Sequence, residues 1–490
     1  MNQDQGESRP ATRWLSEPLL WERGRKGRSG LSVPTTGVPV APIPAGAAGE
    51  GPDWPDLGEL EVVRHYTRLS TWNFGVDSGM YPLGSCTMKY NPKINERLAG
   101  LPGFSGAHPL LPETAAAGAL QLIYELEQWL AAIVGLAAAS LQPAAGAHGE
   151  LCGMLMIAKY HRERGGTRRK VLVPDSAHGT NPASAAMCGF SEVKVPLGAD
   201  GRLDPKVVAG LLDSETAGIM ITNPNTLGLF ESSLPEISRL VHAAGGLVYA
   251  DGANLNAIMG RVDMTRMGVD VMHINLHKSM STPHGGGGPG SGPVAAGKTL
   301  EPYLPGPRVG YQDGRYFWRR DLPHSIGRLH AFHGQFAVAV RAYSYLLALG
   351  GEGIKDASGY AVLNANYLKE KLKAAYDLPY DETCMHECVL TNAKQRGDKI
   401  ATLDIAKRLI DLGYHPPTIY FPLVVESAIM SEPTESEAKE DLDAVVETMR
   451  QIASEAKSNP DLLHAAPVTT KVRRLDETSA ARKPKLTGDM

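Results

Sequence analysis

Five short apolar runs between residues 170 and 275 constrain this chain more than any other feature. They fall at residues 171–173, 193–195, 219–221, 247–250 and 271–274, with helical patterns between them at 205–212 and 234–244. Strands alternating with helices at this spacing predict a mostly parallel sheet with helices on both faces. In such a sheet ligands bind beyond the carboxyl ends of the strands. The residues that follow each run are therefore where chemistry is expected.

At 490 residues the chain exceeds the ~250–300 that one core supports, so several domains are expected. Residues 1–55 are rich in Pro and Gly without periodicity and read as an extended arm. Residues 56–325 read as a large α/β domain, with a helical stretch at about 114–136. A helix at 326–349, stopped by Gly350 and Gly351, leads into a smaller α+β domain ending near 465. Residues 466–490 form a charged, extended tail. The net charge of −4 gives no footprint for nucleic acid. Five scattered cysteines argue for a reducing compartment, hence the cytoplasm. The longest apolar run, 129–141, is too short for a bilayer and reads as a buried helix. The first residues lack an apolar signal segment, so no secretory leader is expected.

Asp251 closes the fourth run and Lys278 follows the fifth, 27 positions later. A carboxylate and a lysine on neighbouring strand ends suit pyridoxal phosphate. Its aldehyde needs an amine, and its pyridine nitrogen needs an acid that keeps it protonated. Either residue alone reads as a turn former or a solvated cation; together, beside His277 and a glycine run, they point to the cofactor. In LQPAAGAHGELCG, the Gly146-Ala147-His148 backbone opens a helix with Glu150 in its first turn, which suits a phosphate. His178 could stack on a pyridine ring or be a structural histidine. Thr222, Asn225 and Thr226, in ITNPNTLGLFE, could donate to a phenolate oxygen, or simply make a turn. In GSCTMKY, Cys86 reads as a buried small residue, while Lys89 or Tyr90 could contact substrate or a partner.

Three matches are set aside. Residues 292–299, GPVAAGKT, fit a phosphate-loop pattern, yet polyglycine precedes them, Pro302 follows, and 294–296 reads as a strand. His273 and His277 share a helical spacing but lie on a strand and its turn. Cys384 and Cys388 flank His386 without a second ligand pair, so no metal is expected.

Longer segments resemble a known family. RHYTRLSTWNFGVDSGMYPLGSCTMKYNPKINE (64–96) is similar to the hallmark segment of the P-protein of the glycine cleavage system, the decarboxylating glycine dehydrogenase. LQPAAGAHGELCG, DSAHGTNPASA, YADGANLNA, NLHKSMSTPHGGGGPG, SIGRLHAFHGQ, CMHECVLT and VRRLDETSAARKPK follow in the family's order. The resemblance runs from about residue 19 to 486, and the chain looks like the lysine-bearing half, subunit 2 where the protein is split. It implies fold type I, with pyridoxal 5'-phosphate covalent on Lys278. It further implies Asp251 on the pyridine nitrogen, His178 stacked on the ring, and His277 with Gly146–His148 at the phosphate. The implied activity is decarboxylation of glycine with transfer of the aminomethyl group to the lipoyl arm of H-protein. Expected partners are subunit 1, in a two-plus-two heterotetramer, and H-protein, with no membrane. Another fold type I enzyme, such as an amino-acid decarboxylase or aldolase, and a catalytically silent subunit remain as rivals.

Overall fold

The computed structural model describes residues 17–32, 34, 37–39, 41–49, 54–108, 111–166, 168–285 and 290–486. Residues 1–16 of the arm, the glycine run at 286–289 and the last four residues of the tail lie outside the described residues. The chain divides into two units: residues 1–75 with 466–490, and residues 76–465.

The first unit is organised by a buried carboxylate. Glu17 takes ion pairs from Arg23 (2.9 Å), His65 (2.9 Å) and Arg68 (3.0 Å). His65 and Arg68 lie on the helix Glu59–Ser70. Trp21 stacks on Trp54. Near the other end of the chain, Asp476 caps the short helix Glu477–Arg482.

The second unit is built on a seven-stranded sheet. Its strands are β1 (Ala138–Ser140), β2 (Lys170–Pro174), β3 (Ser191–Val195), β4 (Thr216–Thr222), β5 (Leu247–Asp251), β6 (Val271–His273) and β7 (Val294–Ala296). Their order is β1-β7-β6-β5-β4-β2-β3. β2 to β6 run parallel, and β7 lies antiparallel to both β6 and β1. All seven residues of β4 are buried, as a central strand covered on both faces demands. Along β5, Leu247 and Tyr249 enter one core while Val248 and Ala250 enter the other, the alternation that a pleated strand imposes.

Two expectations need correction. The apolar run 129–141 is not one helix: the helix Ala117–Val134 stops at Gly135, whose φ of 72° ends it in the left-handed region. Strand β1 follows almost at once. The long helix begins at Phe336 rather than 326 and continues to Leu372. Gly350, at φ 63° and ψ −177°, kinks it without stopping it, because a new helical run starts on the next residue. Residues 326–335 instead form an irregular segment in which the His330 Nε2 reaches the Gln142 carbonyl at 2.5 Å.

The small lobe has its own apolar core under a three-stranded antiparallel sheet, ordered Cys388–Thr391, Ala428–Ser431, Thr418–Ile419. The helices Thr402–Asp411 and Lys439–Ser458 belong to this lobe. The strand Thr418–Ile419 is only two residues long. Positive φ at Tyr420 and Ser427 turns the chain out and back, and Pro422 has no N–H for a ladder. Among the described residues, no helix is long and apolar enough to cross a membrane.

Candidate active site

A cavity of ≈ 190 Å³ opens at the carboxyl ends of β4, β5 and β6. It is lined by Lys278, Asp251, His178, His277, Thr222, Gly146 and Ala147, so the topology gathers seven of the nine expected site residues. The other two lie elsewhere. Asn225 is spent on its own turn: its amide donates to the Gly201 carbonyl (2.9 Å) and Glu231 (2.8 Å), and its oxygen accepts from Leu227 and Leu229. The His148 ring turns back to accept the Ala144 N–H at 3.2 Å.

The helix Gly146–Glu163 reaches this cavity because its first turns carry glycines. A Cβ at Gly146 would lie 2.4 Å from Asn275 Oδ1, one at Gly149 2.6 Å from the Gly292 carbonyl, and one at Gly153 2.8 Å from the Tyr249 ring. Hydrogen at all three positions lets the helix start lie against β6 and β7. That start has no side-chain cap, and first-turn amides have no acceptor within a helix. Residues 294–296 of the phosphate-loop match form β7 itself, which removes the helix that motif requires.

Asp251 is held on every side. Oδ1 accepts from the Ala253 N–H at 2.9 Å and faces His273 Nε2 at 3.5 Å. His273 is buried, which depresses its proton affinity, and its Nδ1 meets the Tyr249 hydroxyl at 2.5 Å. With its nitrogen facing the carboxylates, Asn181 donates to Asp251 Oδ2 at 3.2 Å and to Glu150 Oε2 at 2.8 Å. Glu150 Oε1 accepts from Thr180 at 2.7 Å, and Thr180 also meets His178 Nδ1 at 2.9 Å. Burial first, and then Asp251 beside it, push the Glu150 carboxyl up to about 8. His178 is exposed and so belongs to the open side of the cavity. His277 accepts the Ser291 N–H on Nδ1 at 3.2 Å. Burial, with His284 and Lys278 nearby, pushes it down to about 3, so its imidazole is neutral near pH 7.

Two buried atoms at this wall have no hydrogen-bond partner among the described residues: Thr222 Oγ1 and Asn275 Oδ1. Buried polar atoms are normally satisfied, so this hydroxyl and this amide oxygen fit a polar ligand. Lys278 Nζ donates to the Ser85 carbonyl at 2.8 Å. Sequence reasoning gave Ser85 no role; it belongs to the GSCTMKY segment, whose lysine also proves structural. Lys89 is buried and donates to Asn256, the Ser279 carbonyl, Tyr345 and Glu435. Burial pushes the Cys86 thiol up, away from the thiolate that reactivity needs. Among the described residues, two clusters have metal-ligand spacing, Glu150–Asp251–His273 and His386–Glu387–Glu432, and neither includes a cysteine.

The aminotransferase class-V family matches residues 149–306, and the glycine dehydrogenase C-terminal domain matches 357–466. Over 95% of its length the chain is 56% identical to the probable glycine dehydrogenase (decarboxylating) subunit 2 of Caldanaerobacter subterraneus subsp. tengcongensis, covering 97% of that protein. The protein of the same description from Bacillus licheniformis is 53% identical over 96% of this chain and 98% of its own. The chain belongs to the glycine dehydrogenase (decarboxylating) subunit 2 family. Within this family's chain, the aminotransferase-like match spans Glu150, His178, Asp251 and Lys278, and the C-terminal match spans the small lobe. The crystal structure of a glycine decarboxylase (P-protein) in inhibitor-bound form shares the fold. The TM-score is 0.70 at 23% identity, over 84% of this chain and 93% of that one. The architecture is fold type I of the pyridoxal-phosphate enzymes.

Proposed function

We propose that this chain is the cofactor-bearing subunit of a glycine dehydrogenase. It carries pyridoxal 5'-phosphate covalently on Lys278, decarboxylates glycine and passes the aminomethyl group to the lipoyl arm of H-protein. One observation carries the reading: the Lys278 amine and the Asp251 carboxylate line a single small cavity with the uncapped helix start at Gly146.

When bound, the cofactor supplies an aldehyde for an amine and a ring that accepts the electron pair left by departing CO2. Asp251, fixed by Ala253 and Asn181, would keep the ring nitrogen protonated. His178 would face the ring, and Thr222 Oγ1 would donate to its phenolic oxygen. The amides of Gly146 and Ala147 would hold the phosphate, with His277 beside it as a neutral ring. Lys278 Nζ holds and moves the proton. Bound cofactor and substrate would displace water from the cavity, which would favour loss of a charged carboxylate as neutral CO2. The lipoyl disulfide accepts the electron pair: one sulfur bonds the methylene and the other leaves as a thiol.

The working enzyme contains subunit 1 in a two-plus-two heterotetramer and acts in the cytoplasm. The family's designation as subunit 2 supports a partner chain. So does the helix Glu59–Ser70, which leaves Leu60, Val63 and Tyr66 exposed, an apolar row of the kind that marks an interface. The test is Lys278→Ala. The variant is expected to lose the visible absorption band of lysine-bound cofactor and all glycine decarboxylation with subunit 1 and H-protein. A retained band would remove Lys278 from this role.

A further inference from the structure

Ser85 reaches the cavity from a segment far from the strand ends, and two strands of the small lobe put it there. Leu83 bridges Ser431, so the strap 84–87 runs beside the end of the strand Ala428–Ser431. Cys388 pairs with Ser431, so the next residues outward, Glu387 and Glu432, stand side by side. Glu387 Oε2 accepts the Ser85 N–H at 2.8 Å, and Glu432 Oε2 accepts the Thr87 N–H at 2.9 Å. Ser85 and Thr87 are held at φ 67° and 45°, a left-handed conformation that side chains adopt only under outside constraint. Gly84 fits against Met430, where a Cβ would lie 2.1 Å from Cγ. The strap is thus gripped at three successive points, and its grip ends at the reactive lysine.

We infer that the Ser85 carbonyl is the resting place of the Lys278 amine whenever that amine is not bonded to the cofactor, and that Glu387 and Glu432 are the positioning residues that keep it there. The inference rests on the reading of Lys278 as the cofactor lysine. Lys278 Nζ donates to this carbonyl at 2.8 Å, and a substrate amine that replaced the lysine on the cofactor would return Nζ to need such an acceptor.

The two carboxyls carry one proton between them. Both are 0% exposed, and two buried carboxylates side by side do not ionise together without a cation. His386 supplies none. It is 0% exposed, stands 4.0 Å from Glu387 and 3.9 Å from Glu432, and neither ring nitrogen has a hydrogen-bond partner among the described residues. Burial pushes it down to about 3, which leaves it neutral. One negative charge therefore remains within Coulomb reach of Lys278, at the two residues that grip the strap. Replacing Glu432 by glutamine keeps that charge and both grips on the strap. Replacing both glutamates by alanine removes the acceptors of the Ser85 and Thr87 N–H.

The experiment uses the full chain without cofactor, treated briefly with acetic anhydride at neutral pH, with acetylation of Lys278 read by mass spectrometry and buried Lys89 as the fold control. Glu432→Gln, whose amide oxygen still accepts from Thr87, is expected to acetylate within about twofold of the parent. The double variant E387A/E432A is expected to acetylate Lys278 roughly tenfold faster or more, because the strap loses both acceptors and the Ser85 carbonyl no longer holds the amine. Equal rates in the parent and the double variant would overturn the inference. So would one equivalent of divalent metal in the purified protein, since the cluster would then hold a cation instead of a proton. No cofactor enters this assay, so it can fail while the Lys278→Ala test succeeds, and the reverse.

Discussion

Glu150 and Asp251 share one donor: the Asn181 amide reaches Glu150 Oε2 at 2.8 Å and Asp251 Oδ2 at 3.2 Å. Two carboxyls bound to one amide nitrogen do not both stay charged in a small cavity. The environment divides their roles, with Glu150 protonated and Asp251 free to face a ring nitrogen.

That division has a pH signature. The Glu150 carboxyl titrates at about 8 when folded, against an ordinary 4.5. The folded chain therefore holds a proton there that the unfolded chain has already released. This contribution to stability is complete below about pH 4.5 and is lost as pH rises towards 8. Thermal melts of the cofactor-free protein are expected to show Glu150→Gln losing less stability between pH 5 and 8 than the parent does. Equal losses would assign the proton elsewhere.

Asp251→Ala removes the group proposed for the ring nitrogen and leaves Asn181 and His273 facing an empty position. Turnover is expected to fall roughly 100-fold, the scale for losing one preorganised electrostatic group. Lys278 should still carry the cofactor, so the visible band stays while the rate drops. Absorbance and decarboxylation measured on the same sample decide it.

Gly149→Ala tests the close approach of the helix start. The new Cβ would stand 2.6 Å from the Gly292 carbonyl and 2.9 Å from His273 Cβ. Backbone cannot rotate away, so a loss of about 1–3 kcal/mol is expected in urea unfolding. Cofactor affinity should fall too, because the helix start moves with it. An unchanged unfolding midpoint would show that the approach has slack.

Lys89→Met removes a buried ammonium and leaves the part-buried Glu435 carboxylate beside Asn256. Breaking such a pair costs about 3–5 kcal/mol. The second change Glu435→Gln is expected to restore part of this, because it removes the stranded charge. A double-mutant cycle in urea measures the coupling.

How much of this was legible in the sequence follows from what sequence pattern can carry. β2, β4 and β5 were read within three residues because each is a buried apolar run with a polar residue at its carboxyl end. Asp251, Lys278, Thr222 and His178 fall together around one cavity for the same reason: they lie at or after the carboxyl ends of strands. Asn225 and His148 share that neighbourhood, but their side chains turn back to satisfy nearby backbone. Nothing in an Asn-Pro-Asn or Ala-His string distinguishes the two outcomes. Ser85, Glu387 and Glu432 escaped notice because they meet only through the small lobe's strand pairing, across more than 300 positions. The start of the long helix was misplaced because residues 326–335 are composed like a helix yet are used to line a turn.

The kink at Gly350 and the grip on the strap have a shared implication for how such a protein could be divided. The chain leaves the sheet through one bent rod, and the lobe it builds returns two acidic side chains to the neighbourhood of the lysine. Cutting the gene between the lobes would therefore separate the amine from the hands that steady it, although the break would fall far from the amine in sequence.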